Sequence, residues 1–170
     1  TLNHCSGLKT PHQILLVMQK LKPKKLNSDF VLALDGVQDP GNFGTILRLA
    51  DWFGIDEVIC SNETVDVYNP KVVQASMGAI LRISVQYFSL QDYFEKNKSS
   101  VFGALLEGKN VYHEKLEKKG VLLMGNEGNG ISENLLKYIT DPISIPKFGK
   151  AESLNVSVAA GILLSEFSRS

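Results

Sequence analysis

Phe30-Val-Leu-Ala-Leu-Asp-Gly-Val-Gln-Asp-Pro-Gly-Asn-Phe-Gly-Thr-Ile-Leu-Arg-Leu-Ala-Asp-Trp-Phe53 decides the fold class. Its first five residues are apolar without alternation, which suits a strand covered on both faces. The Gly and Pro residues between Asp35 and Gly44 mark a tight turn. Asn42 suits the cap of a helix that follows. The 100° step of a helix then gathers Phe43, Ile46, Leu47, Ala50 and Phe53 on one face, the face that should meet a sheet. Arg48 points nearly the opposite way. On such a face an arginine is ordinarily solvated, and the helix alone assigns it nothing more. Leu49 and Trp52 also lie off the core face, so the outer surface is not purely polar, and an exposed Trp beside Leu suggests a contact surface.

The same strand-then-helix unit recurs downstream. Strands are expected at Glu57–Cys60, Ser84–Phe88, Val101–Leu106, Val121–Met124 and Ile143–Ile145. Helices are expected at Asn42–Phe53, Pro70–Ile80, Leu90–Lys96, Glu133–Tyr138 and Asn155–Arg169. Short apolar strands alternating with helices argue for an α/β domain with a mostly parallel sheet flanked by helices. The final helix is apolar around about half its circumference, with Ser157, Gly161, Ser165 and Ser168 as a narrow small-residue stripe. It offers little charge to water, so it is either sandwiched within the monomer or packed on a second subunit. A homodimer is favoured, and symmetric dimers are the commonest oligomers.

Two further loops join strands to helices. Val121-Leu-Leu-Met-Gly-Asn-Glu-Gly-Asn-Gly130 runs from a strand into a glycine-rich turn, where backbone can approach a ligand closely. It is neither a Walker A loop nor a GxGxxG fingerprint, and it sits in the final third of the chain. A conventional nucleotide-binding oxidoreductase is therefore disfavoured. Glu127 in that turn reads equally as an ordinary turn residue. Ile143-Ser-Ile-Pro-Lys-Phe-Gly-Lys-Ala-Glu-Ser-Leu-Asn155 leads into the last helix, and either Ser153 or Asn155 suits its cap.

The chain of 170 residues fits one domain, and its 44% hydrophobic content can fill a core. Its formal net charge is zero, which argues against a self-sufficient nucleic-acid binder. A local surplus exists at Lys9, Lys20, Lys22, Lys24 and Lys25, and it reads equally as a solvated linker. Cys5 and Cys60 form no framework, and Cys60 suits a buried thiol. His4, His12 and His113 are scattered and suggest no metal site. No secretory signal is visible, and Val158 to Leu164 is too short to span a bilayer. A cytosolic protein is the expectation. The chain starts at Thr1 without an initiator methionine, so residues 1–28 are expected to be the tail of an upstream domain plus a linker.

Three segments together resemble the motifs of SpoU-class RNA ribose 2′-O-methyltransferases. Asp39-Pro-Gly-Asn-Phe-Gly-Thr-Ile-Leu-Arg-Leu-Ala50 is similar to the first and Leu123-Met-Gly-Asn-Glu-Gly-Asn-Gly-Ile131 to the second. Ile145-Pro with Glu152-Ser-Leu-Asn-Val-Ser-Val-Ala-Ala-Gly-Ile162 is similar to the third. Asn69-Pro-Lys-Val-Val-Gln-Ala-Ser-Met-Gly-Ala79 is similar to a recurring family segment. The resemblance runs from about residue 28 to the end. It implies a SPOUT fold over 29–170 with a deep C-terminal trefoil knot, an arrangement that strand patterning alone never suggests. It also implies a homodimer, S-adenosylmethionine as methyl donor bound in the knot, and rRNA or tRNA as substrate. Ser6-Gly-Leu-Lys-Thr-Pro-His-Gln resembles the end of the family's N-terminal RNA-recruiting domain.

By the same resemblance Asn42, Arg48, Glu127, Ser153 and Asn155 fall on functional positions. Arg48 is implied as proton acceptor or transition-state stabiliser. Arginine keeps its proton, with a pKa above about 12, so binding the phosphate and stabilising the developing alkoxide is the sounder role. Asn42 would orient Arg48, and Ser153 and Asn155 would position RNA or Arg48, across a dimer interface or within the chain. Glu127 would organise the knot loop and touch the donor's polar end. Leu105, Gly125, Ile145 and Leu154 are implied as the slot for the donor's adenosine. No metal is required. Gln74 stands where many relatives carry a basic residue, and Phe148 is bulkier than the residues often found in its turn. The rival reading is a catalytically inactive RNA-binding module of the same fold, and the presence of all five motif residues argues against it.

Overall fold

The structure, a computed structural model, describes residues 17–22 and 27–169. The segment from Ser6 to Gln13, together with Lys9, Lys24 and Lys25, lies outside these residues. Six strands form one sheet: β1 (Phe30–Leu34), β2 (Glu57–Cys60), β3 (Ser84–Tyr87), β4 (Val101–Asn110), β5 (Gly120–Met124) and β6 (Asp141–Ser144). Among the described residues five helices accompany them: α1 (Pro40–Trp52), α2 (Pro70–Ser76), α3 (Leu90–Lys96), α4 (Glu133–Leu136) and α5 (Val156–Ser168). All strand pairs are parallel, in the order β3-β2-β1-β5-β4-β6. The chain therefore forms the mostly parallel α/β sheet that its alternating pattern implies.

β1, β2 and β5 are buried at every residue. Their alternate side chains feed two cores. Leu32, Leu34, Val58, Cys60, Leu122 and Met124 pack with α1, α2 and α5 on one face. Val31, Ala33, Ile59, Val121 and Leu123 pack with α3 and α4 on the other. This double covering is why the strands read as continuous apolar runs. On α5 Val156, Ala160, Leu163, Leu164 and Phe167 are buried, while Val158 stays exposed. The Phe167 ring sits 4.8 Å from that of Phe30 and 5.0 Å from that of Phe102, and burying such a ring contributes about 1.5–3 kcal/mol.

Several boundaries differ from expectation, each for a local reason. α1 starts at Pro40 because Asp39, not Asn42, is the cap: its Oδ1 accepts from the Asn42 N–H at 2.7 Å. Pro at the first helical position reinforces that start. α2 ends at Ser76 rather than Ile80, since Met77 (φ 49°) and Gly78 (φ 86°) turn left-handed before a 3-10 turn at Ala79–Leu81. β4 extends to Asn110 through a bulge between Ala104 and Lys109 that leaves Leu106 exposed. β6 begins two residues early and includes Pro142, which an edge strand tolerates. α4 stops at Leu136 instead of Tyr138. Gly44 is required where α1 crosses α2, because a Cβ there would lie 2.5 Å from Ala75 Cβ and 2.8 Å from the Val72 carbonyl oxygen.

The chain leaves β1 towards β2 and β3, then crosses to the opposite side of β1 for β4, β5 and β6. In open α/β sheets such a reversal leaves a crevice at the carboxyl ends of the strands. Here those ends open into the loops after β4, β5 and β6.

Candidate functional site

A cavity of about 830 Å³ occupies that crevice. Much of its wall is apolar, from Leu105 after β4, Met124 at the end of β5, Ile143 and Ile145 around β6, and Leu154, Ala159 and Leu163 of the last loop and α5, with charged Glu107, Glu127, Lys147 and Glu152 also lining it. Its size falls within the range of small-molecule sites. The four residues expected to form a slot, Leu105, Gly125, Ile145 and Leu154, all line it, as do Glu127 and Ser153. Asn42, Arg48 and Asn155 do not. A second cavity of about 390 Å³ lies along β3 and is lined by none of the expected site residues.

The floor is the loop after β5. A Cβ on Gly125 would lie 2.1 Å from the Gly130 carbonyl carbon, so only glycine fits. Asn126 and Gly130 exchange two backbone hydrogen bonds of 2.9 Å. The Asn126 Oδ1 accepts from the N–H groups of Gly128 (2.8 Å) and Asn129 (3.1 Å), and its Nδ2 donates to the Gly36 carbonyl at 2.6 Å. Buried Asp35 accepts from the Ser132 N–H at 2.7 Å. The loop is thereby bolted to the β1–α1 turn. Neither Asn126 nor Asp35 is singled out by motif reasoning. The available signal was an Asn among glycines, which favours a local side-chain turn.

Beside the floor runs a line of polar side chains from three distant segments. The Asn42 Nδ2 donates to Glu127 Oε1 at 3.1 Å, and the Asn155 Nδ2 donates to Asn42 Oδ1 at 2.9 Å. Glu127 also accepts from the N–H groups of Gln38 and Asp39, each at 3.4 Å. The Asn155 Oδ1 caps α5 by accepting from the N–H groups of Ser157 (2.9 Å) and Val158 (3.3 Å). Asn155, and not Ser153, is thus the cap. Asn42, Glu127 and Asn155 are brought together, and Arg48 and Ser153 are not. The Asn42 amide is engaged at both ends by Glu127 and Asn155, and among the described residues none of its hydrogen bonds goes to Arg48. Arg48 is exposed, and none of the hydrogen bonds or ion pairs among the described residues involves it. Its five N–H donors are free for an anionic group from elsewhere.

The strongly shifted titratable groups lie away from the cavity. Burial pushes the Cys60 thiol far up, so this residue is an inert core thiol. Burial likewise raises Tyr87, whose hydroxyl donates to the Val65 carbonyl. A hydrogen bond from Arg82, reinforced by its charge, holds the Asp51 carboxyl below the usual range. Among the described residues no three His, Cys, Asp or Glu converge as metal ligands, and no helix is long and apolar enough to cross a membrane.

The SpoU rRNA Methylase family matches residues 29–165. The 23S rRNA (guanosine(2553)-2'-O)-methyltransferase RlmP of Bacillus subtilis is 37% identical over 159 residues, covering 91% of this chain and 64% of that relative. The chain spans less than two thirds of the length of this and other curated relatives. A TrmH-family protein of Porphyromonas gingivalis superposes with a TM-score of 0.86 at 39% identity, over 99% of this chain and 71% of that one. The SpoU methyltransferase AviRb of Streptomyces viridochromogenes, in complex with AdoMet, gives a TM-score of 0.77 at 30% identity, over 85% of this chain and 62% of that one.

Proposed function

Because the chain belongs to the SpoU rRNA Methylase family, we propose that it transfers a methyl group from S-adenosylmethionine to a ribose 2′-hydroxyl of RNA, ribosomal RNA foremost. The observation that carries this reading is the apolar cavity floored by the Gly125 loop, with the Glu127–Asn42–Asn155 line beside it. The cavity suits the donor on three counts. Its volume is adequate, its apolar wall residues match an adenine face, and the close packing of Gly125 on the Gly130–Ile131 backbone holds the loop beneath it in one shape. Leu105, Gly125, Ile145 and Leu154 would hold the adenosine. The RlmP and AviRb relatives support the activity and the donor respectively.

When bound, S-adenosylmethionine would supply a methyl group activated by its sulfonium charge and leave as S-adenosylhomocysteine, while the accepting ribose hydroxyl would release its proton to solvent water. The protein's work is to place that hydroxyl and stabilise the charge on its oxygen. Arg48 does so as a cation, binding the adjacent phosphate and the developing alkoxide. It lies off the cavity of its own chain, so Arg48 of a second copy completes the site. The face it shares supports a homodimer: Leu49 is only half-buried, Trp52 is 83% exposed, and Val158 of α5 is also exposed. Ser153 at the cavity wall then positions RNA or that arginine, while Asn42, Glu127 and Asn155 keep the loops in register. The reading brings with it a deep C-terminal trefoil knot, an upstream RNA-recruiting domain and a cytosolic location. Calorimetric titration with S-adenosylmethionine tests the donor half. Uptake of one equivalent per chain is expected, and no uptake contradicts the proposal.

A further inference from the structure

We propose that Phe148 is the platform on which an unstacked base of the RNA substrate lies, with Lys147 and Lys150 taking the flanking phosphates. The inference rests on the methyltransferase reading and assigns its substrate-binding rim. Phe148 lines the mouth of the cavity and is 94% exposed, the most exposed aromatic side chain among the described residues. A single exposed apolar residue needs no explanation. This one lines the donor cavity together with exposed Lys147, and exposed Lys150 follows two residues on in the same loop. Gly149 between them has no heavy atom within 4 Å of a notional Cβ apart from its chain neighbours, so the loop is unpacked at that position. From Pro146 to Leu154 the chain makes no hydrogen bond or ion pair among the described residues, so every polar group there is free for a ligand.

The chemistry of the rim selects nucleic acid. An aromatic face interleaved with cations is how single-stranded RNA is held, because any base can stack and any phosphate can pair. Glu107, Glu127 and Glu152 also line the cavity, and only Glu152 belongs to this loop. Two lysines against one glutamate leave the loop itself cationic, so a phosphate chain would pair along the loop and away from Glu107 and Glu127. Stacking tolerates every base, so Phe148 sets affinity and orientation, not base identity.

Steady-state methylation by the full-length protein tests this, with unmodified transcripts of ribosomal and transfer RNA and labelled donor. S-adenosylhomocysteine is titrated calorimetrically in parallel. Phe148→Ala is expected to lower kcat/KM by roughly 5- to 150-fold, chiefly through KM. Phe148→Trp is expected to restore it, with S-adenosylhomocysteine affinity unchanged throughout. Equal kcat/KM for Phe148→Ala and wild type overturns the inference and leaves the methyltransferase reading standing. So does a loss of S-adenosylhomocysteine affinity that matches the loss in kcat/KM, which would assign the ring to the donor. A wild-type protein that methylates neither class of transcript removes the reading and the inference together.

Discussion

Two loops border the same cavity and are held in opposite ways. Gly125–Ile131 is fixed by a bridge between Asn126 and Gly130, by the Asn126 side chain, and by the contact of Glu127 with Asn42. Pro146–Leu154 makes no hydrogen bond at all among the described residues, and Phe148, Lys147 and Lys150 project from it. Arg48 belongs with the second group, being exposed and unbonded. The difference separates two tasks. A site that must bind a small donor the same way each time benefits from a preorganised floor. A site that must accept a large substrate keeps its polar groups unpaired until that substrate arrives.

This division can be broken or sharpened by substitution. The largest effect is expected from the unbonded group: Arg48→Ala should lower methyl transfer by about 100- to 1,000-fold, the scale for removing a transition-state donor. Donor binding by calorimetry should be preserved, and unchanged turnover would take Arg48 out of the mechanism. Next comes the pair Gly125→Ala and Gly149→Ala. The first places a methyl group 2.1 Å from backbone and should cost about 1–3 kcal/mol in urea denaturation, together with donor uptake. The second enters open space and should stay within about 0.5 kcal/mol of wild type. Equal losses would erase the contrast between the loops.

Smaller effects probe the ties themselves. Asn126→Ala removes two accepted hydrogen bonds and one donated bond, and should destabilise by about 1–2 kcal/mol on thermal or urea unfolding. Asn42→Ala acts on a more exposed pair of bonds and should cost about 0.5–1.5 kcal/mol. A double-mutant cycle with Asn155→Ala should give a coupling of about 0.5 kcal/mol or more. Strict additivity would mean that the polar line does not act as a unit.

Local pattern made some of this legible and left the rest hidden. The unbroken apolar runs of β1 and β2 announced a doubly covered sheet, and Phe43, Ile46, Leu47 and Ala50 announced the buried face of α1. Helix ends were harder. Asp39 and Asn42 are both good cap residue types, and only the folded turn shows which side-chain oxygen meets an N–H. The α2 pattern continues in sequence past Ser76, but a left-handed Met77 breaks it. The strand order, and the joining of Asn42 to Glu127 and Asn155 across 85 and 113 positions, are long-range facts that no periodicity records. The residues around the cavity were reachable through motif resemblance, which carries spatial information that a single chain's physics does not display.

The most direct test of the central claim is where the methyl group goes. Unmodified ribosomal and transfer RNA would be incubated with the full-length protein and labelled donor, hydrolysed with alkali, and the labelled products mapped. Methylation of a 2′-hydroxyl blocks cleavage at that nucleotide, so the label should appear in alkali-resistant dinucleotides at defined positions. Label recovered in single nucleotides methylated on the base, or no incorporation by a protein that binds the donor, would contradict the proposal.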